Sequence, residues 1–265
     1  MSDESNESNE TDETDEAPTP TSRVARTAAS LAAASLATAT LGILGVQLGL
    51  LSPIQAFYLF ALGAVLGGVV SFLLGAVALF LTNGGRDPLG ARRAWMGAGG
   101  GVLLLVVVLM GVSGGGGAPS INDITTDLVN PPGYLAAAKE TANLGRDMSY
   151  PAEFVAIVSK SYPDLQPLRV DGSSDEAYRS ALNAARRLGW TITSEDAATG
   201  LFEAQERSAV FHFVDDISVR VSPDGSSSIV DIRSKSRDGR GDLGVNAARI
   251  RAFGKLVVSG NVAAR

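Results

Sequence analysis

Three long stretches without a single charged residue constrain this chain more than anything else in it. They run from Thr27 to Leu51, Ile54 to Leu81 and Ala94 to Val112, which is 25, 28 and 19 residues. A bilayer core of about 30 Å needs about 20 apolar residues in a helix, so all three qualify as membrane spans. The first is the richest in Ala, Thr and Ser and contains Gln47. A signal peptide is disfavoured there by the long acidic segment ahead of it, the length of the run and the spans that follow. No Asp, Glu, Lys, Arg or His lies inside any span, so a proton relay or ion path has no ionisable group to use. Transport is therefore disfavoured.

Each span carries a pair of glycines four residues apart: Gly45/Gly49, Gly63/Gly67 and Gly97/Gly101. Small residues at that GxxxG spacing let helix backbones approach closely in lipid. Packing of the three helices on one another and a homo-oligomer interface both fit. Orientation follows from the bases. Arg23 and Arg26 precede the first span, Arg86, Arg92 and Arg93 lie between the second and third, and the turn at Ser52-Pro53 carries none. Cytoplasmic loops are enriched in Lys and Arg. The N-terminus is therefore expected in the cytoplasm and everything after residue 112 outside it, in a multi-pass protein of the cell membrane.

The formal net charge of −6 is unevenly spread. Eight acids and no base lie in residues 1–22, against 17 bases and 19 acids in residues 113–265. The tail has too little apolar surface to offset chain entropy and is expected to be disordered. With the remainder near neutrality, nucleic-acid binding gains no support. Cysteine is absent, which removes disulfides, thiolate metal sites and a cysteine nucleophile, and His212 is the one histidine. No cofactor or metal site is indicated.

The expected organisation is an acidic tail over 1–22, a three-helix anchor over 23–112, a Gly-rich linker over 113–120 and a soluble α+β domain over 121–265. Within the domain, residues up to Pro167 read as mostly irregular, broken by Pro131-Pro132-Gly133 and Tyr150-Pro151, with a short helix near Glu153 to Ser161. Ser173 or Ser174 caps a helix from Asp175 to Leu188 whose apolar positions form one stripe, stopped by Gly189. Four strand-like runs follow: Trp190–Glu195, Gly200–Arg207, Phe211–Val221 and Ser227–Ser236. A last helix covers about Val245 to Val258, and Leu168-Arg169-Val170 adds an edge strand. The pattern predicts a two-layer domain, an antiparallel meander of four or five strands with helices on one face.

In the third run, Phe211, Phe213, Ile217, Val219 and Val221 share the phase expected to face the helices, and Asp215 falls in it too. A carboxylate there must be paired, displaced or protonated. Asp216 and Arg220 take the opposite phase, as do Asp231, Arg233 and Lys235 of the fourth run, where a cross-strand charge ladder would be solvated. The loop after it, Ser234 to Asn246, holds Arg237, Arg240 and Asp242 among three glycines and opens a helix. It could bind an anion through its arginines and free N–H groups. The structural alternative has Asp242 or Asn246 capping the helix and Arg237 pairing with Asp215 or Asp216.

These blocks resemble the domain-of-unknown-function 1499 family in its membrane-anchored form. The resemblance rests on Phe213 to Val221, Val230 to Arg237, and Gly241 to Asn246 with Arg249-Ile250. Upstream, Ile121 to Asp127 with Pro131-Pro132, and Tyr162-Pro163-Asp164 with Pro167-Leu168, match the anchored members. It covers about residues 121 to 258. The Asn-Cys-Val-Ser segment of some members is missing, so no role tied to that cysteine carries over. The resemblance implies no established activity, only that these Asp and Arg blocks form one recurring structure. The reading is a non-catalytic binding or interaction module outside the cytoplasm, whose partners are the bilayer and either a second copy or another membrane protein. The alternative is a cell-envelope hydrolase or transferase using the Asp/Arg cluster. No catalytic residue is assigned. The candidate binding or latch residues are Asp215, Asp216, Arg233, Arg237, Arg240, Asp242 and Asn246.

Overall fold

The structure is a computed structural model that describes residues 20–82, 87–112 and 117–263. Most of the acidic tail, Arg86 and the first half of the Gly-rich linker lie outside the described residues. The described chain forms two compact units, Met1–Thr38 with Leu62–Val106, and Ala39–Ala61 with Val107–Arg265.

Three apolar helical segments are long enough to cross a membrane: Arg23–Gln47, Pro53–Thr82 and Pro88–Gly111. They belong to helices α1 (Pro20–Gln47), α2 (Pro53–Ala61), α3 (Gly68–Thr82) and α4 (Pro88–Val112), with one wider π-helical stretch, Leu62–Gly67, joining α2 to α3. In the first unit the usual sorting by size is inverted. Ala25, Ala28, Ala32, Ala78 and Ala94 are buried, whereas Leu36, Leu66, Leu73, Phe80 and Leu103 point outward. Such a surface suits lipid, where large apolar side chains face the solvent and small ones let backbones meet. A Cβ on Gly97 would stand 2.6 Å from that of Ala28, and one on Gly101 would stand 2.5 Å from the Gly68 carbonyl oxygen. Gly75, outside the three sequence pairs, abuts the backbone of Ala94 and Ala98. Gly49 instead ends the first span in a turn with φ +70°.

In the second unit, a six-stranded antiparallel sheet is built from β1 (Asp123–Thr125), β2 (Leu168–Asp171), β3 (Thr191–Asp196), β4 (Leu201–Arg207), β5 (Val214–Asp224) and β6 (Ser227–Ser236). Its order is β1-β6-β5-β4-β3, with β2 also paired to β6 beyond the end of β1. Helices α5 (Ala152–Ser161), α6 (Ser174–Arg187) and α7 (Val245–Ala263) complete it. Ser173 closes a capping box with Glu176 at the start of α6, and Gly189 beyond its end has φ +79°. Phe202, Ala204, Ile217, Val219, Val230 and Ile232 form one core with Ala181, Ala185, Ile250, Phe253 and Val257 of the two long helices.

Three points depart from the sequence reading. β5 begins at Val214, so Phe211 and Phe213 lie in the β4–β5 turn, off the helix-facing phase. His212 does not alternate outward along a strand but occupies that turn with φ 57°. Asp231 and Arg233, expected in solvent, are 3% and 2% exposed. A third layer, the irregular strap of residues 126–150, covers them, and no periodicity announces an irregular layer.

Candidate functional site

Successive strand residues point to opposite faces, so Asp215 and Asp216 are separated by the sheet itself. On the strap face the centre is Arg233. Its Nε and Nη2 donate to the two oxygens of Asp123 at 2.9 and 2.7 Å, a bidentate pair in which Asp123 is fully buried. Nη1 donates to the carbonyl of Pro132 at 3.3 Å, and Nη2 also reaches those of Met148 and Ser149 at 3.1 and 2.9 Å. The guanidinium also lies over the rings of Tyr134 and Tyr150, 4.7 and 5.3 Å from their centroids. One arginine thus pins both ends of the strap to β1 and β6. Lys235 adds a second cation to Asp123 at 3.0 Å. Burial pushes both tyrosine hydroxyls above their usual range, so they stay neutral.

Two further carboxylates hold the middle of the strap. Glu203, 1% exposed, accepts the backbone N–H groups of Leu135, Ala136 and Ala137 at 2.5, 2.8 and 2.8 Å. Those donors would otherwise be unpaired at the start of a short 3₁₀ turn. Asp216 accepts from Arg237 at 2.5 and 2.9 Å and from Asn143 at 2.9 Å. Arg237 continues to Glu140 at 2.7 Å.

On the helix face, Asp215 is met by Arg249 of α7 at 2.6 Å, and Glu206 pairs with the same arginine. Arg249 also donates to Ser234 and Asn246, at 2.9 and 2.5 Å. Asn246 is buried and ties α7 to β6 through Ser234 at 2.6 Å and Ser236 at 3.0 Å. Asp242 receives the N–H groups of Gly244 and Asn246 at 2.9 and 2.8 Å, which caps α7.

Of the seven candidates, Asp216 and Arg237 meet directly, Asp215 joins Asn246 through Arg249, Asp242 accepts the Asn246 N–H, and Arg233 stands apart with Asp123. Arg240 is exposed and belongs to none of these clusters. Arg220 and Asp231 pair across β5 and β6 at 2.8 Å, but Arg233 leaves the expected ladder for Asp123. Sequence reasoning missed Asp123, Glu203 and Arg249. A signal existed for Arg249 alone: Asn246, Arg249 and Phe253, spaced three and four apart, share the buried stripe of α7.

Among the described residues a shallow polar groove lies open, lined by Asp127, Asn130, Pro167, Arg220, Ile229 and Asp231. Arg220 bridges Asp127 and Asp231 at 2.8 Å each, and Oδ1 of Asp231 is buried without a partner. Burial raises the Asp231 carboxyl above its ordinary value against the pull of Arg220. Among the described residues no group of three or more His, Cys, Asp or Glu is arranged to hold a metal ion.

No curated protein matches the chain. A family model does, over residues 123–256, from the first residue of β1 into α7 and therefore across the sheet, the strap and every cluster above. Three apolar spans ahead of a domain so matched make this an integral membrane member, and the chain belongs to the DUF1499 family, described as proteins of unknown function.

Proposed function

We propose that the domain is a non-catalytic binding or interaction module, held outside the cytoplasm by the three spans. The observation that carries this reading is the saturation of the candidate acids. Asp123, Asp215 and Asp216 each face an arginine, and Glu203 is taken up by three backbone N–H groups. A carboxylate so engaged makes a poor general base or nucleophile, because its lone pairs and charge are already compensated. This weighs against a hydrolase or transferase built on the same groups. The clusters read as latches that fix the strap and α7, leaving the Arg220 groove as the open polar surface for a ligand.

The outside placement is supported by Arg23 and Arg26 before the first span and Arg92 and Arg93 at the start of the third. Oligomerisation through the glycine pairs has less support, since Gly67, Gly97 and Gly101 already meet the chain's own helices. The bilayer and a membrane or envelope partner at the groove are the favoured associations.

A photo-reactive residue placed at Ile229, in the groove, and another at Asp175, on α6, tests the reading in the full chain in its own membrane. An adduct formed from position 229 and absent from 175 is expected. Equal labelling at both positions, or none at 229, rejects the groove as the binding surface. A reporter fused after Arg265 that is active only in the cytoplasm would overturn the orientation.

A further inference from the structure

The turn between β4 and β5 is unlike the other turns of the sheet. The β3–β4 connection uses Thr199-Gly200 and the β5–β6 connection Asp224-Gly225, which is ordinary turn chemistry. The β4–β5 connection instead reads Ser208-Ala209-Val210-Phe211-His212-Phe213, with two phenylalanines and a valine at its tip. It is nonetheless well formed. Ser208 N–H donates to the Phe213 carbonyl at 2.8 Å, His212 N–H to the Ser208 carbonyl at 3.0 Å, and Phe213 N–H to the Ser208 hydroxyl at 3.0 Å.

Its apolar side chains meet the place where the first two spans join. Phe211 packs edge-on against Phe57 and Phe60, with ring centroids 5.5 and 5.3 Å apart, and Phe213 lies 5.9 Å from Phe57. Gln47, the last residue of α1, donates through Nε2 to the carbonyls of both Ala209 and Val210, at 2.8 and 2.9 Å. These residues all belong to one compact unit. The parity of the chain requires this side as well: the α1–α2 turn and the end of α4 lie on the same side of a membrane crossed three times.

Around the contact the surface stays apolar. Val210 is 48% exposed, Tyr58 65%, Leu48 71% and Leu50 75%. Residues that close a helical hairpin between two spans sit at the boundary of headgroups and acyl chains, where aromatic side chains concentrate. A turn bonded to them sits at the same depth, and water is a poor solvent for its exposed valine and half-buried phenylalanines.

We propose that the β4–β5 tip, Ala209 to Phe213, is a second membrane contact of the domain, immersed in the interfacial lipid of its own bilayer. The occupant of the exposed patch is lipid, because the patch continues without a break into the ends of two spans that lipid must cover. The domain is thus seated on the membrane at this edge, and its Gly-rich connection to α4 is not its only tether.

The chain has no cysteine, so single nitroxide labels can be placed without background. Labels at Val210→Cys and Ser226→Cys, the latter in the exposed β5–β6 turn, are read in the full chain in phosphatidylcholine–phosphatidylglycerol liposomes. Both sites are exposed, so labelling leaves the fold intact. The expected result is relaxation of the 210 label by oxygen several-fold more than by a water-soluble nickel chelate, with the reverse at 226. Equal nickel access at both positions overturns the proposal. So does a 210 label protected from both reagents and broadened by neighbouring spins until unlabelled chain is added, which would show a second copy covering the patch.

Discussion

The two faces of the sheet differ in the balance of chemistry that holds them, although the helix face carries its own polar cluster around Arg249. Towards α6 and α7, branched aliphatics and aromatics close a core in which Trp190 stacks on Phe253, 5.3 Å between centroids. Towards the strap, Val129, Leu135 and Leu144 of the covering chain are left exposed, and beside the rings of Tyr134 and Tyr150 the contact consists largely of charges meeting carbonyls, carboxylates and N–H groups. A hydrophobic face depends on volume and tolerates rearrangement. A buried polar face depends on every partner being present, since each orphaned group costs its full desolvation. The helix face therefore supplies bulk stability, and the strap face specifies one conformation of an otherwise irregular segment.

The largest expected effect follows from removing the cation at the centre of the polar face. Arg233→Met leaves Asp123 with Lys235 alone and three carbonyls unpaired, and it should cost about 3–5 kcal/mol in denaturant unfolding of the full chain in micelles. On the opposite face, the volume-conserving Ile217→Leu at a fully buried position should cost less than about 1.5 kcal/mol in the same assay. A loss at Ile217 as large as that at Arg233 would erase the contrast. The cap of α7 is a smaller matter: Asp242→Ala should lose about 1 kcal/mol, with faster amide exchange confined to the first turn of the helix.

The smallest effects are in pH dependence, and their signs differ. Asp231 is raised above its ordinary 3.8, first by burial. The folded state holds that proton more tightly, so its contribution to stability is complete below 3.8 and is lost as pH rises through the folded value. Asp164 is lowered from 3.8, first by its hydrogen bond from Arg251, so its contribution is complete above 3.8 and lost as pH falls through the folded value. Measured from acid to neutral pH, Asp231→Asn should make stability rise more steeply than in the unaltered chain, and Asp164→Asn less steeply. Shifts of the same sign in both variants would contradict the assignment.

The spans were legible because their signal is collective, some 20 apolar residues with no charge to interrupt them. The meander was legible because turn chemistry and alternation agree through β6. The strap was not. Arg233 pairs with Asp123 across 110 residues of sequence, and neither the strap's prolines nor the three-residue strand β1 ahead of it carries a period that would announce the contact. Asp215 stood out as a carboxylate in the helix-facing phase, but the separate partners of Asp215 and Asp216 depend on which face each takes. The Phe211–Phe213 turn misled for the opposite reason, since its alternation imitates a strand while its rings pack on Phe57 and Phe60.

The central claim is that the buried charges are a mutual brace for the strap, and a double-mutant cycle on Asp123 and Arg233 addresses it most directly. Asp123→Leu and Arg233→Met should each destabilise strongly, and the combined variant should lose far less than the sum, because neither Asp123 nor Arg233 is then left facing the loss of the other. Additive losses, or single variants that unfold like the unaltered chain, would contradict the account.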